Sequence, residues 1–115
     1  MSIPLSFSHY QKQAATTALY PRGPENTIAP YPALGLAGEA GEVAEQVKKA
    51  IRDDQGLLTD QRRAALKKEL GDVLWYVAAL CSELDLDMAD VAQTNLDKLA
   101  SRKERGVLHG EGDDR

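Results

Sequence analysis

The chain has 115 residues and carries 18 acids against 14 bases, a net charge of −4 with histidine neutral. Its length fits one domain with a modest core, and its apolar and charged fractions of 43% and 28% are those of an ordinary soluble globular protein. The acidic balance excludes a nucleic-acid binder that works through a broad basic surface, but it leaves phosphate chemistry open, because a carboxylate-held metal supplies positive charge.

Cys81 is the only cysteine. That rules out a disulfide framework or a thiolate zinc site made by this chain alone, and it fits a reducing, cytoplasmic setting. No apolar run is long enough to span a membrane, and no basic-then-apolar leader opens the sequence. Aromatics make up only 5% of the residues, and the second half is rich in Ala and Leu. Helices are therefore expected rather than a β-sandwich.

Taken in chain order, the first predicted helix spans residues 6–19, with Ser6 or Ser8 as its cap. Residues 20–32 hold four prolines and a glycine, which read as a long connecting loop. A second helix is expected over 33–52, where Leu36, Ala40, Val43, Val47 and Ile51 recur at helical spacing. Its Gly35, Gly38 and Gly41 cost about 1 kcal/mol each in a helix interior. They point either to close approach of a helix or ligand, or to small residues tolerated in tight packing.

Thr59 or Asp60 caps a third helix that runs to about Leu84. Its apolar stripe is Leu66, Leu70, Val73, Leu74, Val77, Leu80, Cys81 and Leu84. Asp85 or Asp87 opens a fourth helix, which ends near Arg105 with Met88, Val91, Ala92, Leu96 and Leu99 apolar. Short connections after the first loop predict an antiparallel four-helix bundle. Residues 106–115 read as a glycine-containing tail, expected to be a disordered terminus, with a flap over a ligand as the alternative.

The chemistry lies in two acidic pairs. Glu39 and Glu42 on the second helix, and Glu69 and Asp72 on the third, are each spaced i, i+3. Each pair therefore shares one helix face, with about 60° of rotation between its members. Glu39 and Glu69 fall at the borders of their apolar stripes, so packing of the two helices would set the pairs across a groove. Four carboxylates there repel one another and raise one another's pKa values. Mg²⁺ or Mn²⁺ removes that difficulty, since hard oxygen ligands suit these ions. A di-iron centre would want Glu-x-x-His motifs, and neither His9 nor His109 follows a Glu at that spacing.

The run Gly38-Glu39-Ala40-Gly41-Glu42-Val43-Ala44-Glu45 and the later run Glu69-Leu70-Gly71-Asp72-Val73-Leu74 resemble the MazG-like nucleoside triphosphate pyrophosphohydrolases. The signature of that family is Glu-x-x-Glu, a variable gap, then Glu-x-x-Asp. Asn95, Lys98 and Arg102 match its later Asn/Lys/Arg pattern, and the likeness covers about residues 7–105. It implies an all-α domain over 1–115 and a Mg²⁺ cofactor, with Mn²⁺ as a substitute, held by Glu39, Glu42, Glu69 and Asp72. It also implies hydrolysis of a (deoxy)nucleoside triphosphate to the monophosphate and pyrophosphate, with nucleotide-pool control or house-cleaning as the role. A homodimer or homotetramer completes the bundle in that family.

In this reading the metal lowers the pKa of a water that attacks the α-phosphorus, and Glu39 or Glu42 is the general base. Lys98 and Arg102, one turn apart, contact phosphate oxygens. Asn95 contacts the sugar or base, and Tyr76, about 40° from Asp72 by helical rotation, lines the same groove. A phosphoribosyl-ATP pyrophosphohydrolase is a related but less fitting match. The competing class is a non-catalytic helical interaction module whose acids form a solvated face.

Overall fold

A computed structural model describes residues 4–115 and contains four α-helices and, among the described residues, no strand: α1 (Phe7–Ala15), α2 (Pro30–Asp53), α3 (Asp60–Glu83) and α4 (Met88–Glu104). The expected all-α class holds. The caps resolve the alternatives left by the sequence. The Ser6 side chain accepts from the His9 amide, Thr59 from Arg62 and Asp87 from Ala89. Each satisfies an amide that the first helical turn leaves without a partner.

Two boundaries differ from expectation. α1 stops at Ala15 rather than Leu19, where the Thr16 and Thr17 hydroxyls turn back onto the carbonyls of Gln13 and Ala14. α2 begins inside the proline-rich segment, at Pro30. Proline is tolerated there because the first turn has no intrahelical partner for its missing N–H.

α2 and α3 form a long hairpin along most of their length, and this is the main packing contact of the chain. α1 and α4 pack against α3 and against each other, whereas α2 and α4 do not pack together. The bundle is thus open on one side within a single chain. The radius of gyration of 17.3 Å reflects this, against roughly 13 Å for a compact domain of similar size.

The buried core is small and lies at the meeting of α1, α3 and α4, where Ala14, Ala78, Cys81 and Met88 pack with Tyr10, Trp75 and Val77. Cys81 is a core thiol, as expected, and burial pushes its pKa up. Gln11 pins this corner. Its Nε2 donates to the Leu86 carbonyl at 2.9 Å, and its Oε1 accepts from the Met88 amide at 2.8 Å. Much of the predicted apolar stripe is not covered: Leu70 is 55% exposed, Ile51 67% and Leu96 60%.

The tail is not a disordered terminus. It folds back onto α4, held by Arg115, whose Nε donates to the Val107 carbonyl and whose Nη2 donates to the Leu108 carbonyl, each at 3.0 Å. The cause is electrostatic and local: the last arginine satisfies carbonyls that the glycine-broken backbone leaves free.

Candidate active site

The hairpin positions the acids. Glu39 projects from α2 and Glu69 and Asp72 from α3, and one carboxylate oxygen of each lies within 4.8 Å of the others. Glu39 and Glu69 are half-buried and Asp72 is exposed. The border positions inferred from helical rotation thus become one convergent site. Glu42, the fourth acid of the predicted set, is exposed at its margin and is not part of the close triad.

The electrostatics follow from the crowding. The Glu39 carboxyl is held above the usual range by desolvation first, then by its hydrogen bond to Glu69 and the negative charges of Asp72, Glu69 and Glu42. Among the described residues, no cation contributes to that balance. Three convergent oxygen donors, with no histidine or thiol among them, could hold a hard divalent ion.

One wall of the site is aromatic. Tyr76 lies next to Glu39 and Asp72; its phenol pKa is raised by burial first and then by Tyr31 and these acids. Trp75 meets Tyr76 edge-on at 5.0 Å between ring centroids. Tyr20, from the proline-rich loop, stacks parallel on Tyr31 at 5.4 Å and meets the edge of Trp75.

The loop is fastened at both ends of this wall. Trp75 Nε1 donates to Thr17 Oγ1 at 2.9 Å, while Tyr20 and Arg22 both donate to Glu83. Burial and Glu83 push the Tyr20 phenol up to about 12. Sequence reading missed Tyr20 and Tyr31. The available signal was the aromatic content of a long loop joined directly to the acid-bearing helix.

Gly35 explains how close the helices come. A Cβ there would collide with the ring of Tyr76, so this glycine is required by close approach. Gly38 and Gly41 face open space in the single chain, so their presence is not explained by contacts within it.

The α4 residues are placed elsewhere. Asn95 is exposed, and α4 does not pack on the acid-bearing α2. Lys98 Nζ donates to Asp113 at 3.0 Å and Arg102 Nη2 to the same oxygen at 3.1 Å. Among the described residues, no contact brings Asn95, Lys98 or Arg102 to the triad. Lys48 is paired with Glu45 at 3.0 Å on the solvent side of α2. A cavity of about 540 Å³ lies away from the acids, between α1 and the α3–α4 turn, lined by Gln11, Lys12, Ser82 and Asp87 among others.

An all-α chain whose central hairpin gathers three carboxylates beside an aromatic wall defines the class: a helical domain with a candidate cation site on its hairpin. The model of the MazG nucleotide pyrophosphohydrolase domain matches residues 31–107, and the chain belongs to that family. It is 50% identical over 109 residues to the Gene 37 protein of Mycobacterium phage L5, covering 92% of this chain and 96% of that one. It is 35% identical over 78 residues to dCTP pyrophosphatase 1 of Mus musculus and 33% identical to that of Bos taurus, covering 66% of this chain in both cases. The matched segment spans only 44% of either mammalian enzyme. No solved structure matches. Among the described residues, no helix is long and apolar enough to cross a membrane.

Proposed function

We propose that the chain, read as one domain over residues 1–115, hydrolyses (deoxy)nucleoside triphosphates to the monophosphate and pyrophosphate in nucleotide-pool control. The single observation that carries this is the convergence of Glu39, Glu69 and Asp72 within 4.8 Å in a chain of this family. What weighs against an interaction module with a merely charged face is that this convergence falls in a chain matched over residues 31–107 by a nucleotide pyrophosphohydrolase domain.

Glu39, Glu69 and Asp72, with Glu42 at the margin, would hold Mg²⁺, or Mn²⁺ in its place. Such an ion supplies charge neutralisation at the triphosphate and a lowered pKa for a bound water. Glu39 or Glu42 takes a proton from water entering the groove. The water oxygen bonds to the α-phosphorus as the bond to the bridging oxygen breaks, and pyrophosphate leaves. Tyr76 closes one side of the groove, where it excludes water and offers a face for the base. The name of the mammalian relatives favours a deoxycytidine substrate among those to be tried first.

Asn95, Lys98 and Arg102 bind the sugar and phosphates from α4. Since α4 stands away from α2, these residues reach a triad in a homodimer or homotetramer, which would also cover exposed Leu70 and Leu96. The test is a panel of every (d)NTP with Mg²⁺, with monophosphate and pyrophosphate assayed as products. Release of inorganic phosphate instead, or no turnover with any member, overturns the reading.

A further inference from the structure

The last ten residues form a closed loop that the catalytic reading leaves unused. Arg115 donates to the carbonyls of Val107, Leu108 and Gly112, and Arg105 holds the Arg115 carbonyl oxygen at 2.9 Å. This lacing presents Asp113 to α4. There Lys98 and Arg102, one helical turn apart on a shared face, both donate to Asp113 Oδ1, and Arg102 also donates to its backbone carbonyl.

The two sides of this contact are unequally satisfied. The Arg102 side chain is 5% exposed, and its Nε is buried with no hydrogen-bond partner among the described residues. A guanidinium has five N–H donors in a planar fork, and an unpartnered buried donor of a charged group is costly. Asp113, by contrast, is 79% exposed and reaches both cations through a single side-chain oxygen. The cations hold its carboxyl below the usual range, Lys98 first and then Arg102. A phosphate group, with more oxygens and more charge, matches a Lys–Arg pair better than one carboxylate oxygen does.

We propose that Asp113 is a displaceable internal anion: it occupies a phosphate-oxygen position on Lys98 and Arg102, and a ligand phosphate that takes this position releases the tail loop. The inference rests on the reading of Lys98 and Arg102 as phosphate contacts, and it adds a competitor for them built into the same chain. In Asp113→Asn the buried Arg102 keeps its bond to the backbone carbonyl of residue 113, and a thermal melt of the variant checks that the helices stay in place.

Calorimetric titration of the full-length chain with pyrophosphate in metal-free buffer tests it. Asp113→Asn is expected to bind pyrophosphate roughly two- to fivefold more tightly than wild type, the scale of an exposed ion-pair competitor. The gain is expected to vanish in the Asp113→Asn/Lys98→Ala double variant. Added pyrophosphate should speed amide exchange over residues 107–112 in the wild type. Equal affinity of wild type and Asp113→Asn, with no change in exchange, makes the tail a fixed brace and overturns the proposal, as does absence of pyrophosphate binding to both. Nucleotide turnover measured separately distinguishes the two failures. Turnover without an Asp113 effect removes the latch and keeps the triad reading, and an Asp113 effect without turnover does the reverse.

Discussion

Glu39 on α2 and Glu69 on α3 share a proton-favouring contact across the helical hairpin, with Asp72 beside them and, among the described residues, no base to offset their charge. The arrangement works against the stability of the metal-free protein and favours a bound cation. Glu39→Gln is therefore expected to raise the melting temperature of the metal-free chain at pH 7 by about 2 °C, the size of a surface change of about 0.5 kcal/mol. The same variant should lose most of the Mg²⁺-dependent rise shown by the wild type. Differential scanning fluorimetry with and without Mg²⁺ reads both effects, and a Mg²⁺ response equal to wild type would remove Glu39 from the metal site.

The pH dependence has a definite sign. Glu39 has a folded-state pKa raised above its unfolded value, so its contribution to stability is fully present below about pH 4.5 and is lost as pH rises through the raised value. Asp113, Asp53 and Glu45 are lowered by their basic partners and act in the opposite direction, losing stability as pH falls. The wild-type melting temperature minus that of Glu39→Gln isolates the first effect. This difference should become more negative on going from pH 4 to pH 7 without metal, and Mg²⁺ should reverse the trend. A flat difference would mean that the carboxylates do not interact.

Asp72 and Glu42 belong to the same predicted quartet but differ in placement. Asp72 has a carboxylate oxygen within the triad and Glu42 does not. Asp72→Asn should reduce turnover by at least about 100-fold, the scale of losing transition-state charge stabilisation. Glu42→Gln should reduce it less. Steady-state assays on the responsive nucleotide decide the order. Equal loss would place Glu42 among the functional ligands, through a movement on binding.

Much of this site was legible in the sequence because the relevant quantity is periodic. Spacings of three residues put Glu39 with Glu42 and Glu69 with Asp72 on single faces, and their stripe-border positions put the two faces together. The caps were legible to within two candidates each for the same local reason, and the structure selects Ser6, Thr59 and Asp87. What escaped depends on contacts far apart in sequence: the Tyr20–Tyr31 stack, the anchoring of Arg22 on Glu83, and the lacing of the tail by Arg115. The open side between α2 and α4 also escaped, because an apolar stripe shows that a helix must be covered but not by which chain.

Gly35 and Gly41 lie on the same helix and give opposite expectations. At Gly35 an alanine Cβ meets the Tyr76 ring, and overpacking of this kind costs about 1–3 kcal/mol. Gly35→Ala should lower the melting temperature accordingly, and Gly35→Ala with Tyr76→Val should recover part of the loss. At Gly41 nothing lies within 4 Å, so in an isolated chain alanine should stabilise the helix by up to about 1 kcal/mol. Thermal melts of the three variants check both statements. A destabilising Gly41→Ala would show that another copy packs on this face.

The exposed leucines give the sharpest test of assembly. Leu70 on α3 is 55% exposed and Leu96 on α4 is 60% exposed, and each lies in a stripe with the helical spacing of a core face. If the single chain were the working unit, Leu→Lys at either position would change stability by no more than about 0.5 kcal/mol and leave activity intact. If a second copy covers them, the wild type should sediment as a dimer or tetramer with a melting temperature that rises with protein concentration. Leu70→Lys and Leu96→Lys should then shift it towards the monomer. Turnover should fall with the oligomer, because α4 carries Lys98 and Arg102 away from the triad of its own chain. Sedimentation velocity and activity measured on the same samples settle the point: a monomeric, fully active Leu96→Lys protein would show that one chain completes its own site.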